Sequence, residues 1–183
     1  MAIRIPYGID PDEVWELDFC AEVARMKARV ERDVAASYRE SAAQAKDASD
    51  RLDLETAAAK CEARAVEADA DLAGYQPGTG PVFQVGAIPG RRRAELLGRR
   101  QELNALRVGE EKAGGLADWA RDVVSASVRG HRNLLRASGG EVPFEAVEGR
   151  PSARTLEAYG PILADLAWVV VSQQRLGADG KNV

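Results

Sequence analysis

From Asp12 to Ala73 the chain runs without a single glycine or proline. No other feature limits so strongly what it can fold into. Those two residues end helices and shape turns, so a stretch this long without either predicts helix throughout. Asp10-Pro11-Asp12-Glu13 supplies the start: a cap, a first-turn proline and two acids for the positive end of the helix dipole. Phe19, Val23, Met26, Val30, Val34 and Tyr38 then recur at steps of three or four, as one apolar helix face does. Leu54, Ala58, Cys61, Ala65, Ala68 and Leu72 form a second stripe, and Lys46-Asp47-Ala48-Ser49-Asp50 between them is the plausible turn. A single rod of roughly 60 residues would be about 90 Å long. An antiparallel, coiled-coil-like hairpin is preferred, because each half then buries its stripe on the other.

The rest divides around this segment. Residues 1–11 read as an N-terminal arm, 12–73 as the long helix or hairpin, and 74–90 as a Gly/Pro linker holding a short strand, Val82-Phe83-Gln84-Val85. Residues 91–176 read as a compact helical domain and 177–183 as a C-terminal tail. Within the compact domain helices are predicted from Arg91 to about Arg107 and from Leu116 to about Ala137, with a break at Gly114-Gly115 and a kink near Gly130. Val142-Pro143-Phe144 suits an extended loop, and Ser152 caps a short helix through Tyr159. Pro161 opens an apolar last helix, Ile162 to Leu176, stopped by Gly177. The fold class expected is mainly α: a long amphipathic hairpin plus a compact helical body with one or two short strands. Aromatics at 5% argue against a β-sandwich, which needs many aromatic and β-branched residues.

Charge is unevenly placed. Asp12–Ala73 carries 16 acidic and 9 basic residues, net −7, whereas Gly74–Val183 carries 12 and 15, net +3. Such asymmetry can orient neighbours in an assembly. Pairs such as Glu31 with Arg32 or Glu62 with Arg64 read as a solvated face. Cys20 and Cys61, each inside a predicted helix with no partner at metal-ligand spacing, read as reduced core thiols. No apolar run reaches the roughly 18 residues of a membrane span, and no secretory h-region is visible, so synthesis in the cytoplasm is expected.

Catalytic chemistry finds little footing. His131 is the sole histidine, and nothing near it in sequence offers a nucleophile or carboxylate; it reads as a helix-end or interface residue. Gly78-Thr79-Gly80 and Gly86 to Gly90 lack the Lys-Ser/Thr of a phosphate loop. No catalytic, cofactor-binding or metal-ligating residue is therefore assigned, and no enzyme activity is expected. The pointed cluster is Arg91-Arg92-Arg93 with Arg99, Arg100 and Arg107. Arginines opening a helix oppose its dipole, and an acidic protein partner would neutralise them. Nucleic acid ranks below protein as that partner, since no aromatic is interleaved for base stacking and the chain is acidic overall. Trp15, Trp119 and Trp168 are placed on helices. Arg91, Arg92, Arg93, Arg99, Arg100, Trp168 and Phe144 are the partner-binding candidates.

Pro81-Val82-Phe83, the helix around Arg93-Ala94-Glu95-Leu96, Trp119, Val128-Arg129-Gly130-His131-Arg132-Asn133-Leu134, Gly139-Gly140-Glu141-Val142-Pro143-Phe144-Glu145 and the helix from Thr155 to Leu166 follow in a recognisable order. Over residues 81–176 the chain resembles small proteins encoded among the head and tail genes of tailed bacteriophages, tail assembly chaperones among them. The departure is Asp12–Ala73, where such proteins carry only a short charged linker. The resemblance implies a phage structural protein in the virion, binding capsid, head–tail or tail subunits and other copies of itself, with no membrane partner and no cofactor. A tail assembly chaperone that leaves before maturation is one alternative; a nucleic-acid binder using the Arg91–Arg107 helix is another.

Overall fold

The structure, a computed structural model, describes residues 14–179, with side chains through Gln173. The expected arm (1–11), the helix start at Asp10–Glu13 and the last four tail residues lie outside the described residues. The fold is mainly α, with six α-helices and five short strands among the described residues, and it divides into two compact units: Cys20–Pro77, and the remainder of the chain. Among the described residues no helix is long and apolar enough to cross a membrane.

The first unit is the hairpin, built from α1 (Phe19–Gln44) and α2 (Ala48–Gly74). The turn falls where expected: the Asp47 carboxylate caps α2 by accepting from the Ser49 amide at 2.8 Å. The buried face of α1 is not the expected stripe, however. Phe19 and Val23 are buried, but Val30, Val34 and Tyr38 are 43%, 38% and 36% exposed. The seam instead consists of Ala28, Ala35 and Ala42, one heptad apart, and of Ala58, Cys61 and Ala65 on α2, with Ala35, Ala58 and Cys61 in one cluster. Small side chains let two helix backbones come close, so the hairpin gains contact by proximity instead of by bulk. Long side chains then reach over the narrow seam. Arg39 pairs with Glu62 at 2.6 Å, Arg64 with Glu31 at 2.9 Å, and Arg32 with Asp69. The pairs Glu31–Arg32 and Glu62–Arg64, one and two positions apart, do not form these bridges, because residues so spaced point to different sides of a helix. The hydrogen bond from Arg64 holds the Glu31 carboxyl below its usual range, and the same guanidinium donates to the Cys61 sulfur at 3.1 Å. Cys61 is thus a core thiol as expected, whereas Cys20 is exposed.

The second unit opens with β1 (Val14–Asp18), where helix was expected and where Trp15 therefore sits on a strand. Val-Trp-Glu-Leu-Asp alternates with a period of two, and β2 (Val82–Gly86) offers it a complete antiparallel partner, with Leu17 opposite Phe83. β3 (Val128–Arg132) pairs on the other side of β2, with Phe83 opposite His131 and a bulge at Gln84/Val85. The expected helix through Ala137 consequently ends early. α4 spans Glu110–Ser127 and turns directly into β3. Gly130 lies opposite Gln84, whose side chain occupies the space a Cβ at 130 would need, so this glycine serves strand contact and not a helix kink.

Gly114 and Gly115 do not break the chain; both lie inside α4. A Cβ at Gly115 would collide with Leu103 of α3 (Gly90–Ala105). The helix-propensity cost of glycine, about 1 kcal/mol, is offset by this close packing. α4 packs on α3 and on α6 (Leu163–Asp179). Trp119, Ala120, Val123 and Val124 of α4 and Leu166, Ala167, Val169 and Val170 of α6 are buried, which makes the apolar last helix central to this unit. Pro161 does open it, within a 3-10 turn at Gly160–Ile162, but helix continues past Gly177 to Asp179. Ser152 caps α5 (Ala153–Ala158) as expected, its hydroxyl accepting from the Thr155 amide. Val142–Phe144 forms no strand; a two-residue ribbon of β4 (Ala146–Val147) and β5 (Arg150–Pro151) follows it.

Candidate functional site: the arginine face of the helical body

α3 begins after Pro89 with no side-chain cap and no acid in its first turn, so Arg91, Arg92 and Arg93 meet the dipole's positive end. Two carboxylates relieve this. Glu95, one turn on, lies 3.3 Å from both Arg91 and Arg92. Asp122 of α4 accepts from Arg99 at 2.7 Å and lies 3.6 Å from Arg92. Arg91, Arg92 and Arg99 are thereby joined in one carboxylate-linked network, while Arg93 is half-buried.

Arg100 points elsewhere. It follows Leu96 by four residues and so shares that residue's inward face. Its guanidinium carbon lies 4.7 Å from the ring centroid of Trp119 and 5.0 Å from that of Trp168. Trp119 is anchored in turn, its indole N–H donating to the Leu96 carbonyl at 2.8 Å. The Arg100 Nε is buried with no hydrogen-bond partner among the described residues, and burial lowers the pKa of this guanidinium. Stacking between two indoles is its main compensation. Arg100 and Trp168 are therefore brought together as an internal contact of the body. Trp168 is half-buried.

Phe144 joins a different group. Its ring meets His131 edge-on at 5.5 Å, and His131, Tyr159 and Phe19 surround Phe83 in similar geometry. His131 is a clasp on a strand, not a helix-end residue. Its Nε2 lies 2.7 Å from the Val142 carbonyl, which can only accept, so Nε2 carries the proton. Nδ1 then accepts from the Tyr159 hydroxyl at 2.6 Å. Both ring nitrogens are committed to structure. Tyr159 is wholly buried, and that burial pushes its phenol well above the usual range.

Two arginines not among the candidates complete the face. Arg129, on β3, donates to the Ala126 carbonyl at 2.8 Å and the Val128 carbonyl at 3.3 Å, satisfying carbonyls at the end of α4. Its stem passes over Gly86, where a Cβ would lie 3.3 Å from Nε. Arg150, on β5, is near enough that its charge, after burial, is the second cause lowering the Arg129 pKa. Together with Arg92, Asp122, Ser125 and Pro89 they line a cavity of about 310 Å³. Nothing in the linear sequence groups Arg92, Arg129 and Arg150; they meet only because β3 turns back from α4 and β5 lies beside it.

Among the described residues no three His, Cys, Asp or Glu side chains are placed to hold a metal ion. Compared with protein-family models, curated proteins and solved structures, the chain has no match.

Proposed function

We propose that this chain is a non-enzymatic structural protein of a tailed phage, built into the particle and holding neighbouring subunits through its helical hairpin. The observation that carries the reading is the apolar stripe left over once the alanine seam is closed. Val30, Val34 and Tyr38 stand at successive four-residue steps on α1 and are more than a third exposed. A helix face of this kind gains when another surface covers it. Alanines close the hairpin on themselves, which leaves the larger side chains available to a neighbour. The sequence order over residues 81–176 supports the phage assignment, and the net −7 of the hairpin segment beside a net +3 elsewhere suits head-to-side packing of copies.

The test is quantitative mass spectrometry of purified particles, measuring this chain against the major capsid protein. Stoichiometric incorporation is expected, and Val30→Lys with Val34→Lys should lower it several-fold while the soluble protein stays folded. Absence from particles combined with abundance in the lysate would overturn the structural role in favour of an assembly chaperone.

A further inference from the structure

The cavity among Arg92, Arg129 and Arg150 has a charge balance that calls for an anion. Asp122, its one acidic lining residue, is already shared by Arg99 and Arg92. Arg129 donates two of its five guanidinium N–H groups to backbone carbonyls, which carry no formal charge, and keeps the others for a ligand. Neither Arg129 nor Arg150 has a carboxylate partner among the described residues. Two guanidiniums thus face one space and repel each other, a repulsion that is relieved by negative charge between them.

Size and charge narrow the ligand. A volume of about 310 Å³ lies at the small end of ligand pockets, large enough for a phosphate group and a small body attached to it. Two uncompensated positive charges match a dianion, and forked guanidiniums suit tetrahedral oxyanions that accept several hydrogen bonds at once. A monocarboxylate would leave one of the two charges unmet. The Ser125 hydroxyl in the lining adds a neutral donor. We infer that this cavity is a binding site for a phosphate dianion, either free or as the monoester of a small molecule, held chiefly by Arg129 and Arg150. The inference is independent of the particle role, since every residue it uses belongs to the helical body and none to the hairpin.

Isothermal titration calorimetry on the full chain would test it, with inorganic phosphate, glycerol phosphate and acetate as probes at matched ionic strength. Saturable one-to-one binding of phosphate, with acetate silent, is expected; tighter binding of glycerol phosphate would identify a monoester as the natural form, and equal or weaker binding the free ion. Arg150→Gln, at an exposed ribbon position, should weaken binding about tenfold or more, whereas Arg107→Gln outside the cavity should not change it. Asp122→Asn should strengthen binding by removing the competing carboxylate, an outcome that damage to the fold would not produce. Absence of saturation, indifference to Arg150→Gln, or weaker binding by Asp122→Asn would each overturn the site. A single-stranded oligonucleotide that outcompetes both phosphate probes with steep salt dependence would overturn the small-molecule form.

Discussion

Two substitutions distinguish an alanine seam from a valine stripe inside the hairpin. Ala35 is 1% exposed and faces Ala58 and Cys61, so Ala35→Leu adds three carbons where two helices already touch. Overpacking of that kind costs about 1–3 kcal/mol, which is roughly 5- to 150-fold in the opening equilibrium. Val30 and Val34, at 43% and 38% exposure, contribute little to that closure. Replacing both by lysine retains an apolar stem and slightly improves helix propensity, so the change should stay within about 0.5 kcal/mol. The assay is labelling of the Cys61 thiol in native buffer, in a Cys20→Ser background so that one sulfur reports. Cys61 is buried and reacts only when the hairpin opens, so with fast reclosing its rate follows the opening equilibrium. Ala35→Leu should accelerate labelling by the factor above, and the double lysine variant by less than about threefold. If the lysine variant labelled as fast as Ala35→Leu or faster, the valines would be the packed face and the seam described here would be wrong.

Arg100 gives a second expectation. Arg100→Met keeps the stem between Trp119 and Trp168 and should cost no more than about 1 kcal/mol, whereas Arg100→Ala loses packing as well as stacking and should cost about 1–2 kcal/mol; urea midpoints and a red shift in tryptophan emission would report the difference. Tyr159 gives the third. Its folded pKa is raised above the unfolded value of about 10, so its contribution is full below pH 10 and lost as pH rises beyond it. Tyr159→Phe should lower stability by about 1–3 kcal/mol at neutral pH, because His131 Nδ1 loses its donor. The variant should also show a flatter loss of stability above pH 10 than the unaltered chain, and parallel losses would refute this account of Tyr159.

What was legible in the sequence was mostly punctuation. Asp47 and Ser152 act as the caps their chemistry suggests, and the α2 stripe is right at its centre because Cys61 stands between Lys60 and Glu62 and Ala65 follows Arg64. On α1 alanines occur on several faces, so periodicity favoured the larger valines, and size is what the close seam excludes. β1 and β3 were hidden for a different reason. Val14–Asp18 carries no break before Phe19, and Val128–Arg132 continues a helical segment with Gly130 read only as a kink in it; both become strands because β2 needs partners, a long-range demand that local propensity does not register. Gly114-Gly115 looked like a break since nothing in the sequence shows Leu103 pressed against it. The arginines of α3 were visible as a cluster, but their division into a carboxylate network, an indole sandwich and one wall of a cavity depends on Asp122, Trp119 and Arg129, all distant in sequence.

Asp18 and Val82 face each other at the end of the β1–β2 ladder, and the Phe19 amide donates to the Pro81 carbonyl at 3.0 Å. The whole of α1 and α2 is thus spliced in where an ordinary β-hairpin would have its turn. Directly paired antiparallel residues stand only about 5 Å apart, so a few residues could join the two strands without disturbing their register. Length can then be added to or trimmed from the two helices, by matched heptads, while every pairing in the sheet stays in place. A lineage carrying this body could change the length of its hairpin without having to reinvent how the body folds.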